Sequence, residues 1–577
     1  MPQHDYDILA QRGSSFRADL NAALAAIASN NSGPAAPPVT FPHQFWPDTT
    51  TGILKHRNGA NSSWVPIGLL DTPNLGLATA SSVQALRGFT VSVLEPGYGA
   101  VGNGTADDTA AIQAALDYVD SIGGGSVYVP LTSSFYKLTA ALRVGSNTTL
   151  CGSGWLRWTT LPPTVVTGDF SGGSRRAIIN KNVSLSGAQN TNISVEGLKI
   201  DLSLIVGALA YSRQAVFFFN CIKTRVARCH ILSDGGSVLN VKTSDYLVEN
   251  NYCEQVGTYA SSDAVIDQWW GSKNGVVRWN TVDGKLLALC GLMLTGSDTT
   301  GGSGGTMSNI QFIQNHVANI RDLAIWVEGR IDVARAIRIL GNTIDTAGVA
   351  GTLEGEGIRV LTCEDVRITG NNISNCQLGA ILCSSVQGEA WTRNGKSLTI
   401  SDNTISNVGM ARTSGSLTSV DAIECYYVDR LRITGNDITP HPIAKYEYAI
   451  TIDATAVNAV ISHNIIEAGS QADSINLGGN QQAMVYRNEG FKTESYGVAT
   501  IAAGASSVTV TGVGLNFDPW DGGNSPSQIT ITPMSIPSNM ADLGTPAVSN
   551  LSRSQFQVIL ATTTSQAFTF KWSVTRL

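Results

Sequence analysis

A short pattern, apolar-x-x-Asn-x-apolar, returns through the middle of the 577-residue chain and restricts its fold more than any other feature. Full copies are Ile339-Asn342-Ile344, Ile368-Asn371-Ile373, Ile400-Asn403-Ile405, Ile433-Asn436-Ile438 and Ile461-Asn464-Ile466. Looser copies are Val248-Asn250-Tyr252, Val277-Asn280-Val282 and Ile313-Asn315-Val317. The asparagines recur roughly every 30 residues, the period of a solenoid whose repeats stack only on their neighbours. A second pattern sits between them: a small residue, an apolar one, a variable one, then usually another apolar one. It reads Gly291-Leu292-Met293-Leu294, Ala324-Ile325-Trp326-Val327, Gly357-Ile358-Arg359-Val360, Ala422-Ile423-Glu424-Cys425, Ala449-Ile450-Thr451-Ile452 and Ser474-Ile475-Asn476-Leu477. Strand side chains alternate between faces, so the apolar pair points inward and the variable residue outward. Each period is therefore one coil of short strands, and the stack is an all-β column.

The repeated Asn has a structural reading. Asn tolerates left-handed backbone at coil corners, and its amide can bond the Asn of the next coil. Cys383 and Cys425 fall on inward positions, and none of the nine cysteines forms a CxxC pair, so they read as small buried residues. The seven histidines are dispersed, and neither a metal nor a cofactor is expected. Net charge is −7 and no basic stripe is present, which argues against nucleic-acid binding. No apolar run reaches the ~20 residues of a membrane span. Met1 to Asp7 lacks the basic and apolar regions of a cleaved secretory signal, so the protein is expected to fold in the cytosol or to leave by another route, such as release of a virus particle by lysis.

The ends differ from the middle. Residues 1–70 hold a helical stretch, Ser14 to Ser29, with Ser14 as its cap and Phe16, Leu20, Leu24 and Ile27 at helical spacing. Short strands follow at Phe45 to Thr49, Gly52 to Arg57 and Trp64 to Ile67, with a turn near Asn58-Gly59. So small a unit is expected to dock on a partner or oligomerise. Residues 71–88 read as a linker and 89–490 as the solenoid. Near its start, Thr105 or Asp107 caps a helix carrying Ile112, Ala115, Leu116 and Val119, and Gly123-Gly124-Gly125 ends it. The glycines of Gly99 to Gly104 lack the context of a phosphate loop. Residues 491–577 read as a β-sandwich that caps the open end of the column or binds glycan.

Gly99-Ala100-Val101-Gly102-Asn103-Gly104-Thr105-Ala106-Asp107-Asp108-Thr109, then Ala111-Ile112 and Gly124-Gly125-Ser126-Val127-Tyr128-Val129-Pro130, resembles the opening of the pectate-lyase-like superfamily. The fold it implies is a right-handed parallel β-helix, widespread in bacteriophage tailspike depolymerases. Residues Asp5 to Asn21, with Trp46 and Trp64, are similar to particle-anchoring modules of phage tails, and Phe568-Thr569-Phe570-Lys571-Trp572 resembles terminal β domains of such spikes. The resemblance implies a homotrimer on a virion tail, made in the host cytoplasm and acting on lipopolysaccharide or capsule at the bacterial surface. No His is flanked by two glycines, so the GHG signature of the pectinase hydrolases is absent.

Glycoside hydrolysis needs two carboxyl groups, and sugar binding favours aromatic faces. Glu424 is an outward residue with Tyr426 two positions on; Asp453 lies two positions past Thr451, one coil later. Coil and strand spacings put the two acids roughly 8 Å apart, in the range of inverting glycosidases. The alternative reading is two solvated surface acids. A competing cluster holds Glu354, Glu356 and Arg359, with Trp326 and Glu328 on the preceding coil. Arg359 could hold an acidic sugar and Trp326 stack on a ring; Asp421 stands beside Glu424, and Trp269-Trp270 could extend the groove. A lyase using Arg359, Lys445 or Tyr446 on a uronic-acid polymer is the second function, and a non-enzymatic glycan adhesin the third.

Overall fold

A computed structural model describes residues 7–8, 12–71, 89–160, 175–183, 187–205, 213–257, 264–296, 305–329, 334–349, 354–385, 394–410, 420–443, 446–467, 469, 474–480, 482–515, 527–535, 537–538, 544–549 and 552–576. The chain divides into two compact units, Met1–Thr90 and Val91–Leu577. The inferred linker falls almost wholly outside the described residues.

In the larger unit the repeat becomes a right-handed parallel β-helix. Each coil carries three strands, for example Ile358–Leu361, Cys363–Thr369 and Asn372–Cys376, here called the first, second and third strands. Among the described residues the three faces hold 12, 14 and 12 strands, and the pairing from coil to coil is parallel. Inward positions stack into one continuous apolar core that includes Ile339, Ile368, Ile400 and Ile433. All nine cysteines are unpaired and eight are buried, Cys383 and Cys425 among them.

The asparagine column lies at the corner between the second and third strands. Asn371 shows its chemistry. Its Oδ1 accepts from the backbone N–H and the Nδ2 of Asn342, at 2.9 and 3.0 Å. Its Nδ2 donates to Asn403 Oδ1 and to the Ile339 carbonyl, at 2.9 and 3.0 Å. The same bonds run from Asn251 through Asn280, Asn315, Asn342, Asn371, Asn403, Asn436 and Asn464 to Asn488.

Two details depart from the sequence reading. The first rung is Asn251, not Asn250, and Asn315 aligns with Phe312 rather than Ile313, so both irregular spacings become regular. The left-handed backbone is not at the ladder residue. It belongs to the residue before it: Asn250, Trp279, Gln314, Gly341, Gly370, Asp402, Gly435, His463 and Arg487 all have φ between 50° and 70°. The ladder amide thus secures the corner while its neighbour makes the bend.

The N-terminal end of the helix is closed by α2, Thr109–Ser121, which buries Ile112, Ala115, Leu116 and Val119. Its N-cap residue is Asp108, rather than Thr105 or Asp107. The Asp108 carboxylate accepts from the Val101 and Gly102 N–H groups, so those amides are taken. Gly102 has φ +65°, and a Cβ there would meet the Thr132 side chain at 2.7 Å. Beyond the last coil the pairing turns antiparallel, in two three-stranded sheets packed through Phe556 and Trp572, whose rings lie 5.3 Å apart.

In the smaller unit α1 spans Gly13–Ala28 and an antiparallel sheet joins Phe45–Asp48, Ile53–Arg57 and Trp64–Leu69. Arg12, not Ser14, is the N-cap residue. The helix buries Ala23 and Ala26 and leaves Phe16, Leu24 and Ile27 exposed, the reverse of the expected face.

Replacing Asn371 by Ala removes one rung: two N–H groups of Asn342 lose their shared acceptor, the Ile339 carbonyl loses a donor, and Asn403 Oδ1 keeps only the backbone N–H of residue 371. Unmet buried polar groups cost ~1–3 kcal/mol each, so a loss of about 3 kcal/mol or more is expected in chemical denaturation. Replacement of the exposed corner residue Gln314 by Gly should leave stability within about 1 kcal/mol.

Candidate active site

The first strands present a face whose outward residues align by register. One column reads Asp267, Met293, Trp326, Arg359, Leu382, Glu424, Thr451 and Asn476. Two positions further along the strands, Trp269, Thr295, Glu328, Leu361 and Ser384 form a second column. Five of the candidate residues singled out in the sequence therefore share one face: Trp269, Trp326, Glu328, Arg359 and Glu424.

Glu424 is the centre of the charge arrangement. Its Oε1 accepts the Asp421 backbone N–H at 3.2 Å and its Oε2 accepts the Tyr426 hydroxyl at 3.3 Å. Burial first, then the negative charge of Asp421, pushes its carboxyl up from 4.5 to about 7; Glu356 adds in the same direction. Burial also raises the Tyr426 hydroxyl. Asp421 is a buried anchor: it accepts from the Tyr448 N–H at 2.8 Å and the Thr451 hydroxyl at 2.6 Å. Gly379 lies on the coil before, and a Cβ there would run into the Asp421 carbonyl.

Two coils before Glu424, Arg359 meets Glu356 through both carboxylate oxygens at 2.8 Å and Glu354 at 3.1 Å. Leu382 fills the intervening coil. Trp326 and Trp269 both pack against a buried cluster that includes Met293 and Leu323, and both remain partly exposed.

Other candidates sit differently. Asp453 follows its strand and Oδ1 accepts the Thr455 N–H at 2.9 Å and the Thr455 hydroxyl, so this carboxylate closes a turn. Trp270 is not a sugar platform on this face: it is 6% exposed and packs edge-on against Phe219. Tyr446 lies in the apolar core, its hydroxyl donating to the Glu467 carbonyl at 2.5 Å, out of reach as a base. Lys445 lies outside the described residues. Asp267 was missed in the sequence because Gln268, bonded to Asn240 inside the column, breaks the apolar alternation of its strand. Among the described residues there is no cluster of three or more His, Cys, Asp or Glu suited to a metal ion.

A family profile described as rhamnogalacturonase A/epimerase, pectate lyase-like, matches residues 91–274. Across solved structures the fold recurs. The tailspike gp61 of Pseudomonas phage phi297 superposes with a TM-score of 0.53 at 12% identity, covering 85% of this chain and 99% of that one. The A-module of the Azotobacter vinelandii mannuronan C-5 epimerase AlgE6 gives 0.50 at 16% identity, over 69% and 98%. In sequence, the Azotobacter vinelandii mannuronan C5-epimerase AlgE3 is 42% identical over 64 residues. That stretch is 10% of this chain and spans only 3% of the epimerase. Similarity in sequence thus favours pectate-lyase-like proteins, and similarity in fold extends over phage tailspikes and polysaccharide epimerases alike.

Glu424 has a folded value above its unfolded one, so its contribution to stability is present below pH 4.5 and lost as pH rises to about 7. Glu424→Gln removes that loss. The variant should gain stability relative to the parent between pH 4.5 and 7, by a few kcal/mol at most, in denaturation curves taken at both ends of the window.

Proposed function

We propose that the chain is a phage tailspike depolymerase that binds a bacterial surface polysaccharide, O-antigen or capsule, and cleaves it by glycosidic hydrolysis. The observation that carries this reading is the Glu424 carboxyl, held half-protonated near neutral pH on a face shared with Trp326 and Arg359. A carboxylic acid kept protonated at pH 7 is the group that glycosidic cleavage asks to donate to the leaving oxygen. Glu356 is the second carboxyl. It stands two coils away, roughly 10 Å along the stack, close to the separation at which inverting enzymes fit a water between acid and base. Arg359 orients Glu356, Asp421 positions Glu424, and Tyr426 donates to it. Trp326 and Trp269 offer ring faces to the sugar; Glu328 lines the same face. Asp453 is the competing base, although its turn with Thr455 already engages it. In this reading the chain is a homotrimer carried on the virion tail by residues 1–70.

Reducing ends released from purified host polysaccharide report the chemistry. Glu424→Gln should lower the rate ~10²–10⁴-fold and abolish the fall in activity above pH 7; Glu356→Gln should cost a similar factor. Asp453→Asn should stay within tenfold. A folded Glu424→Gln protein working at the parental rate sinks the assignment, and binding without released ends identifies an adhesin.

The local similarity to mannuronan C5-epimerases favours a second reading, an enzyme that removes the C5 proton of a uronic-acid polymer. Arg359 would then neutralise the uronate, but it is already shared by Glu354 and Glu356. Deuterium taken up at C5 without chain scission marks epimerisation, and unsaturated, ultraviolet-absorbing ends mark a lyase. Hydrolysis yields neither.

A further inference from the structure

The second strands of the last coils carry a concave surface of about 580 Å³ whose charge is opposite to that of the face around Glu424. One outward column there reads Arg338, Arg367, Thr399, Arg432, Val460 and Met484, with no acid in six successive coils. Arg338 is answered by Asp365 at 2.7 Å. Arg367 and Arg432 are exposed, and neither meets a carboxylate among the described residues. They stand two coils apart, roughly 10 Å, on either side of Thr399. Arg430 adds a third guanidinium, 63% exposed and only 3.9 Å from Asp429 at its nearest.

One acid, Asp365, lines the hollow itself, where Arg338 engages it. A neighbouring column alternates in sign, Arg335, Glu364, Lys396 and Asp429, with Lys396 and Glu364 3.7 Å apart. That column neutralises itself and leaves the excess positive charge on Arg367 and Arg432. Gln482 supplies an amide along the same hollow, the Asn458 amide lies there with one N–H given to Asp429 at 2.9 Å, and Val460 and Met484 add apolar surface.

From this we infer that the hollow is a second glycan site, separate from the proposed catalytic face, that takes a saccharide bearing carboxylate or phosphate groups. Paired guanidinium groups bind oxyanions in bidentate fashion. Amides and the Thr399 hydroxyl suit sugar hydroxyls, and apolar surface suits the C–H face of a ring. Nucleic acid fits less well. Among the described residues no aromatic side chain lines the hollow for base stacking, and two or three arginines fall short of the contacts a duplex needs. Function follows from placement: these strands succeed the catalytic-face strands on the same coils, so one polymer could be held at one face and cut at the next.

The test uses the full chain with Glu424→Gln, so that no probe is consumed. Polygalacturonate and poly(glycerol phosphate) are titrated calorimetrically at low and raised salt, beside carboxyl-reduced polygalacturonate and a single-stranded oligodeoxynucleotide of equal charge. At least one anionic glycan polymer should bind, more weakly as salt rises, and the two arms tell carboxylate from phosphate. Arg367→Ala with Arg432→Ala should weaken that binding tenfold or more, while thermal unfolding is unchanged because both side chains are exposed. Three results overturn the site: no binding of either anionic polymer, equal binding by the double variant or by the reduced neutral polymer, or tighter binding of the oligodeoxynucleotide. Since the measurement is binding and not cleavage, it stands or falls apart from the hydrolase assignment.

Discussion

The asparagine-to-asparagine bond between successive coils is the contact on which the rest of the molecule depends. A parallel strand pair by itself fixes register weakly, since a slip of two residues keeps the same faces inside. The ladder removes that freedom. Each side-chain oxygen takes two N–H groups of the coil before, and each side-chain nitrogen gives to the coil after and to a carbonyl of the coil before. A slipped coil would leave several of these buried groups unmet, at ~1–3 kcal/mol apiece. Register is thereby set once per coil, at one corner, and the alignment of outward columns follows from it.

The candidate site is a product of that alignment. Glu424, Arg359 and Trp326 are far apart in sequence, yet they occupy equivalent places on strands that the ladder holds in step. Burial does most to raise the Glu424 carboxyl, Asp421 three residues away adds its charge, and Glu356, brought near by the stacking of coils, acts in the same direction. Sheet geometry also separates charge. The first-strand face gathers carboxylates, whereas the second-strand face leaves two arginines unanswered.

Much of this was legible in the chain itself because the coil period and the period-two alternation are both written in apolar residues. Ile339, Ile368, Ile400 and Ile433 announce the core and Asn342 to Asn464 the ladder. Glu424 and Arg359 stood out as polar residues at outward positions. What escaped notice depended on contacts that spacing does not encode. Asp453 is drawn into a turn by Thr455, two residues away, and Trp270 is covered by Phe219 from an earlier coil. The corner conformation was assigned one residue late, because side-chain preference pointed to Asn while the amide bond required an ordinary backbone there. Asn250 and Asn251 stand side by side, and only the three-dimensional pairing separates the bend from the rung.

Successive rungs are separated by anything from 24 to 35 residues, although the bonds between them hardly vary. All of that difference is absorbed away from the ladder corner. The stack therefore behaves as an indexed rail: segments between rungs can lengthen, shorten or be exchanged without disturbing the strands above and below. A lineage could rewrite what projects from the column, or gain and lose whole coils between one asparagine and the next, while inheriting the same spine.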